Sequence, residues 1–104
     1  MKKILQINFK FKTPRPELEK HFLEHAPMIG KVKGLLWKIW LMNEAEKSAG
    51  GIYLFEDDAS VQAYVNGEIS VAFRKCPICS AYDIEAKVWD ILPKHTKITR
   101  GPVD

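Results

Sequence analysis

The chemistry open to this chain starts with its histidines and cysteines. His21 and His25 lie four apart in His21-Phe22-Leu23-Glu24-His25, so a helix would set them on one face. The segment matches the H-x-x-E-H pattern of the inverted zinc proteases, where two imidazoles hold the metal and the carboxylate is the base. A five-residue motif without its distant acidic ligand is weak support for that reading, and the chain is short for a protease. His25 has a second claim. It falls within an apolar helical stripe, facing a cleft between helix and sheet. Such an imidazole can exchange a proton near neutral pH, although a hydrogen-bonded core histidine is the commoner occupant of such a position. That makes His25 the candidate catalytic residue. His95 has no assigned role.

Cys76-Pro77-Ile78-Cys79 is a CxxC. It could be a redox pair or half of a zinc site. No second CxxC and no suitably spaced Cys/His pair completes a tetrahedral set. Redox pairs of this kind sit between a strand and a following helix, whereas this one falls between a helical stretch and the last strand. The sequence therefore favours two reduced loop thiols, with no metal ligands assigned.

The aromatic residues suggest a ligand. Trp37, Trp40, Tyr53, Phe55, Tyr64 and Trp89 could line a flat slot. Asn8 and Lys38 are polar groups on otherwise apolar strands and could orient a substrate oxygen. The competing reading is that the rings are core and the polar groups face solvent. The candidate substrate-binding residues are Asn8, Trp37, Lys38, Trp40, Tyr53 and Tyr64.

These residues need elements to position them. Leu35 to Met42 alternates Leu35, Trp37, Ile39 and Leu41 on one face with Leu36, Lys38, Trp40 and Met42 on the other. Both faces are largely apolar, as in a strand covered on both sides. A charged link, Asn43 to Ser48, leads to Gly50 and Gly51 and a strand over Ile52 to Phe55. The glycine pair implies positive φ or a close backbone approach. Upstream, Ile4 to Lys12 alternates cleanly as a strand. Pro14 and Pro16 then start a helix running to about Lys31, with Leu18, Phe22, His25, Ile29 and Val32 on one stripe. Pro27 inside it predicts a kink or a helix in two pieces. Downstream, Asp57 or Asp58 can cap a helix over Ala59 to Asn66. A short helix over Glu68 to Arg74 comes next, then a strand over Ser80 to Leu92. The tail, residues 93–104, reads as loosely held or draped over a partner.

The order is β-α-β-β-α-β, an α+β ferredoxin-like sandwich in one domain, residues 1–104. Helices cover one face of such a sheet. The other face would stay too apolar for a monomer, which predicts sheet-to-sheet pairing with a second copy.

The run Gly34-Leu35-Leu36-Trp37-Lys38-Ile39-Trp40, the charged link, then Ala49-Gly50-Gly51-Ile52-Tyr53-Leu54-Phe55 and an acidic helix start resembles the YdhR-like monooxygenase family. That family is related to the antibiotic-biosynthesis monooxygenases. The match is close over Gly34 to Val65. The resemblance implies a homodimeric α+β barrel. It also implies oxygenation of an electron-rich aromatic or polyketide-like substrate with O2, using no metal, flavin or other cofactor. A base would remove a proton, the carbanion or phenolate would reduce O2, and an apolar pocket would keep water out. The alternative is a dimeric small-molecule-binding module without turnover.

Composition sets the outer bounds. The chain has 104 residues, 46% hydrophobic and 28% charged, with net charge +3. That is ordinary for a globular domain, and the charge does not call for nucleic acid or a membrane surface. No apolar run nears the roughly 20 residues of a membrane span. The start MKKILQINF lacks a signal-peptide core, so the expected location is cytoplasmic. The RNA-recognition motif shares the topology, but its RNA face needs a stacking aromatic on the first strand and a basic residue before the third-strand glycine. Here those places hold Leu5 or Gln6, and Ala49 and Gly50.

Overall fold

The computed structural model describes residues 1–77 and 79–104. The elements run in the order β1 (Lys3–Lys10), α1 (Arg15–Gly30), β2 (Leu35–Asn43), β3 (Ser48–Phe55), α2 (Asp58–Val65), α3 (Glu68–Arg74), β4 (Tyr82–Asp90) and α4 (Pro93–Ile98). The sheet runs β2-β3-β1-β4, and each neighbouring pair is antiparallel. This is the expected ferredoxin-like α+β arrangement.

Helices α1, α2 and α3 pack on one face of the sheet. Leu5, Tyr53 and Phe55 meet Ile29, Val61 and Tyr64 in one buried cluster. Phe9, Phe11, Leu18, Ala49 and Cys79 form a second. Asp57 caps α2, its carboxylate accepting the Ser60 N–H at 2.8 Å.

Three expectations are corrected. Leu35 and Trp37 do not share a face, because the β2–β3 register shifts between them. A bulge adds one residue and flips the phase of the strand beyond it. Leu35 sits opposite Phe55 and packs on the inner core, while Trp37, Ile39 and Leu41 point outward and Lys38, Trp40 and Met42 point toward the helices. Second, α1 runs uninterrupted through Pro27, so it is not in two pieces. The carbonyl that Pro27 leaves without a donor belongs to Leu23, which is 76% exposed and open to water. Third, the tail is ordered on its own sheet. Pro93 opens α4, Trp37 Nε1 donates to the Pro102 carbonyl at 2.8 Å, and Lys2 Nζ donates to the Val103 carbonyl at 2.8 Å. Leu54, paired with both Ile4 and Trp37, is fully buried at this end.

The outer sheet face beyond the tail stays open. Ile39 is 50% exposed, Leu41 38% and Trp89 50%. No described helix is long and apolar enough to cross a membrane.

The glycine pair serves close approach and not positive φ. A Cβ on Gly50 would drive into the Ile7 carbonyl, which is fixed in the β1–β3 ladder. A Cβ on Gly51 would come within 2.7 Å of Lys38 Cε, the far part of a flexible chain. Gly50→Ala should therefore cost roughly 3 kcal/mol or more, and Gly51→Ala clearly less, in urea unfolding. Equal costs would show that the close approach does not govern these positions.

Candidate functional site

A cavity of about 220 Å³ opens between α1, α3 and the inner face of the sheet. Alternation on β1 aims Ile7 and Phe9 into it. The helical period of α1 adds His21, Phe22, His25 and Ile29, and α3 adds Ile69 and Phe73. The rings pack on one another. Phe22 lies 5.1 Å from Trp40, and Phe9 meets Phe73 edge-on at 4.9 Å, both between centroids. The wall is therefore apolar and stiff.

The bulge in β2 decides which polar group enters. With the phase flipped, Lys38 faces the helices and lines the cavity. Its Nζ lies 3.3 Å from the Trp40 ring centroid and 4.5 Å from that of Tyr53. Burial pulls the ammonium down from its ordinary 10.5 to about 7. The two ring faces compensate part of the lost hydration by attracting the charged form.

Tyr53 and Tyr64 hydroxyls meet at 3.2 Å, and both residues line the cavity. Burial raises both phenols, foremost that of Tyr53, so they are proton donors at neutral pH. Their mutual bond uses one hydroxyl hydrogen and leaves the other for a ligand. Arg74 also lines the cavity, its Nη2 donating to the Val65 carbonyl at 2.8 Å and to Ser70 Oγ at 3.2 Å. No carboxylate lines the cavity among the described residues. Besides its histidines, Ser70 and Cys76, its polar groups are Arg74, Lys38 and the phenolic donors, set for an electron-rich or anionic oxygen.

His25 also lies on this wall. Its Nδ1 is 2.8 Å from the His21 carbonyl oxygen, which can only accept, so Nδ1 carries a hydrogen and Nε2 is the nitrogen that accepts in the neutral ring. The His21 and His25 rings lie against each other, with centroids 4.1 Å apart. His21 is held below its usual range, first by burial and then by its histidine neighbour.

Of the residues singled out in the sequence, His25, Lys38, Trp40, Tyr53 and Tyr64 border this one cavity. Asn8 and Trp37 do not. Asn8 pairs with Gly50 and Glu85 on the outer side of the sheet, and Trp37 is turned outward by the bulge. Phe55 is buried in the core beside the cavity, and Trp89 lies on the outer face, its Nε1 donating to Gln6 Oε1 at 3.2 Å. Sequence reasoning missed the contribution of α3, because Phe73 and Arg74 sit in a short helix whose packing partners are distant in sequence. It also missed that His21 meets the CxxC. His21 Nε2 lies 3.9 Å from Cys76 Sγ, and Cys79 Sγ lies 2.6 Å from Cys76 Sγ. Burial, with the neighbouring Cys76 thiol, pushes the Cys79 thiol up to about 12.

Lys38 couples the site to stability. Its folded-state pKa lies below its unfolded one, so between pH 7 and 10.5 the unfolded chain holds more protons. Stability should rise with pH across that window, and the full burial cost should persist below it. Lys38→Met should raise stability by about 1–3 kcal/mol at pH 6, and the gain should fade toward pH 10. Thermal melts of both proteins at the two pH values check this; a gain independent of pH would place the ammonium in water.

Comparison with known proteins agrees with this fold. Similar solved structures include a protein of unknown function from Nitrosomonas europaea, with 20% identity and TM-score 0.67, over 88% of this chain and 89% of that one. SnoaB from Streptomyces nogalater, a cofactor-independent oxygenase, aligns at 12% identity and TM-score 0.70, over 88% and 93%. MhuD, the heme-degrader of Mycobacterium tuberculosis, aligns at 24% identity and TM-score 0.63, over 86% and 95%. These likenesses are likenesses of fold. No curated protein sequence matches the chain significantly. A family model does: residues 4–102 match the family described as "Putative mono-oxygenase ydhR", and the chain belongs to that family.

Proposed function

We propose that this protein is a small monooxygenase that uses no cofactor of its own and oxidises an electron-rich aromatic substrate bearing an acidic C–H or O–H. The observation that carries the reading is the cavity's pairing of an apolar aromatic wall with the basic side chains Lys38 and Arg74 and, among the described residues, no carboxylate. Such a site stabilises an anionic oxygen on a flat ring more than the neutral molecule. Family membership and the fold shared with a cofactor-independent oxygenase support the same reading.

The residues divide the work. His25 Nε2, freed by the Nδ1 bond to the His21 carbonyl, accepts the substrate proton. Lys38 and a phenolic hydroxyl of the Tyr53–Tyr64 pair hold the oxygen on which charge develops. The rings of Phe22 and Trp40 exclude water from the carbanion. That anion passes its electrons to O2. For a methylene flanked by aromatic rings, one oxygen atom becomes the new carbonyl and the other leaves as water.

Oxygen uptake by chelated, flavin-free protein with anthrones, hydroquinones and catechols tests the reading. Uptake should survive chelation and fall about 10²-fold or more in His25→Ala. Lys38→Met should also slow it. No uptake across the panel, with the same compounds quenching tryptophan fluorescence, would make the protein a binding module instead.

The open outer face supports a homodimer as part of this proposal. Ile39, Leu41 and Trp89 leave apolar side chains in water together on one sheet face. A second copy laid sheet against sheet would cover it. Sedimentation at micromolar concentration should give a dimer that Ile39→Asp dissociates. A wild-type monomer would overturn this part.

A further inference from the structure

We propose that His21, Cys76 and Cys79 form a binding site for a thiophilic divalent cation of the Zn²⁺ class. The three donor atoms lie within 4.8 Å of one another. They come from two elements 55 residues apart in sequence: α1 supplies His21, and the loop after α3 supplies both sulfurs. A zinc site takes nitrogen and sulfur donors in this combination, and a Cys-x-x-Cys pair is a common two-ligand bite.

The surroundings favour a metal over two idle thiols. Cys79 is fully buried, among Phe9, Phe11, Leu18 and Ala49. Both thiols are free and lie side by side, so a single ion can take both as ligands. The imidazole beside them is a donor that a disulfide does not need. Placing all three on one tetrahedral ion asks the sulfurs to part by about 1 Å, a small movement for a loop. Three protein ligands leave a fourth position. Because His21 and Cys76 both line the cavity, a water or a ligand atom in that space can fill it. The ion would tie α1 to the α3–β4 loop and fix one end of the cavity.

Cobalt reports such a site directly. The full-length protein, demetallated and held reduced with a phosphine, is titrated with Co²⁺. One equivalent should produce thiolate-to-cobalt absorption in the near ultraviolet and the strong visible bands of tetrahedral cobalt, and Zn²⁺ should displace them. Cys76→Ser and Cys79→Ser should each remove the thiolate band. His21→Gln should weaken binding by at least the roughly 10–100-fold that loss of a supporting partner costs a metal site. Circular dichroism of each variant shows that it folds. In the wild type, Zn²⁺ should also protect both cysteines from alkylation. Absence of the cobalt bands with both thiols reduced overturns the proposal. So does a chain that oxidised glutathione converts to a form lighter by two hydrogens, if its reduced form takes up no metal. No substrate enters these readouts, so the outcome is separate from that of the oxygenase reading.

Discussion

A lysine ammonium held against an indole face is the interaction on which the cavity depends. Burying the Lys38 charge without compensation would cost several kcal/mol. The Trp40 and Tyr53 rings supply part of the compensation, and they can do so only if strand β2 turns both Lys38 and Trp40 inward. That phase comes from the bulge near Leu36. Space for the chain comes from β3, where Gly51 has no side chain to meet Lys38 Cε. A register irregularity, a missing Cβ and a buried cation are therefore one design. Altering any of them changes what the cavity can hold.

Much of this was legible in the sequence, for identifiable reasons. Alternation in β1 and the 3.6-residue stripe of α1 are strong local patterns, and they place Leu5, Phe9, Leu18 and Ile29 correctly. The same stripe puts His25 on the cavity wall. The glycine pair announced either positive φ or a close backbone approach, and the second is what it serves. What alternation could not show is its own interruption. Both faces of Leu35 to Met42 are apolar, so the hydrophobic pattern carries no mark of the bulge, and Trp37 was assigned to the pocket when it belongs to the outer face. Asn8 failed differently. A polar residue on a half-apolar strand does not reveal whether it faces a pocket or the open side of the sheet.

The contacts of the tail show the limit of composition as a guide. Residues 93–104 are polar and read as loose, yet Pro93 starts a helix and the last residues bond to Trp37 and Lys2. The carbonyls of Pro102 and Val103 belong to the backbone, which every sequence has, so side-chain polarity could not forecast these bonds. Their effect is to cover one end of the outer face and leave Ile39, Leu41 and Trp89 bare. The unburied apolar area is thus narrower than the strand patterns alone imply, and it is confined to one part of the sheet.

The pairing of His21 with the CxxC obeys the same logic at longer range. Motif spacing finds metal sites when the ligands lie near one another in sequence, as in a zinc knuckle. Here one donor comes from the first helix and two from a loop more than fifty residues later, and only the fold around the cavity joins them. The H-x-x-E-H segment also resolves into two separate roles. His25 bonds back to the carbonyl of His21 and keeps its Nε2 on the cavity, while the His21 ring reaches the sulfurs. The two rings lie against each other with centroids 4.1 Å apart, and burial, then the neighbouring ring, holds His21 below its usual range. A neutral imidazole is the form that can accept a substrate proton or bind a metal. Burial and the neighbouring ring therefore favour the neutral form of His21.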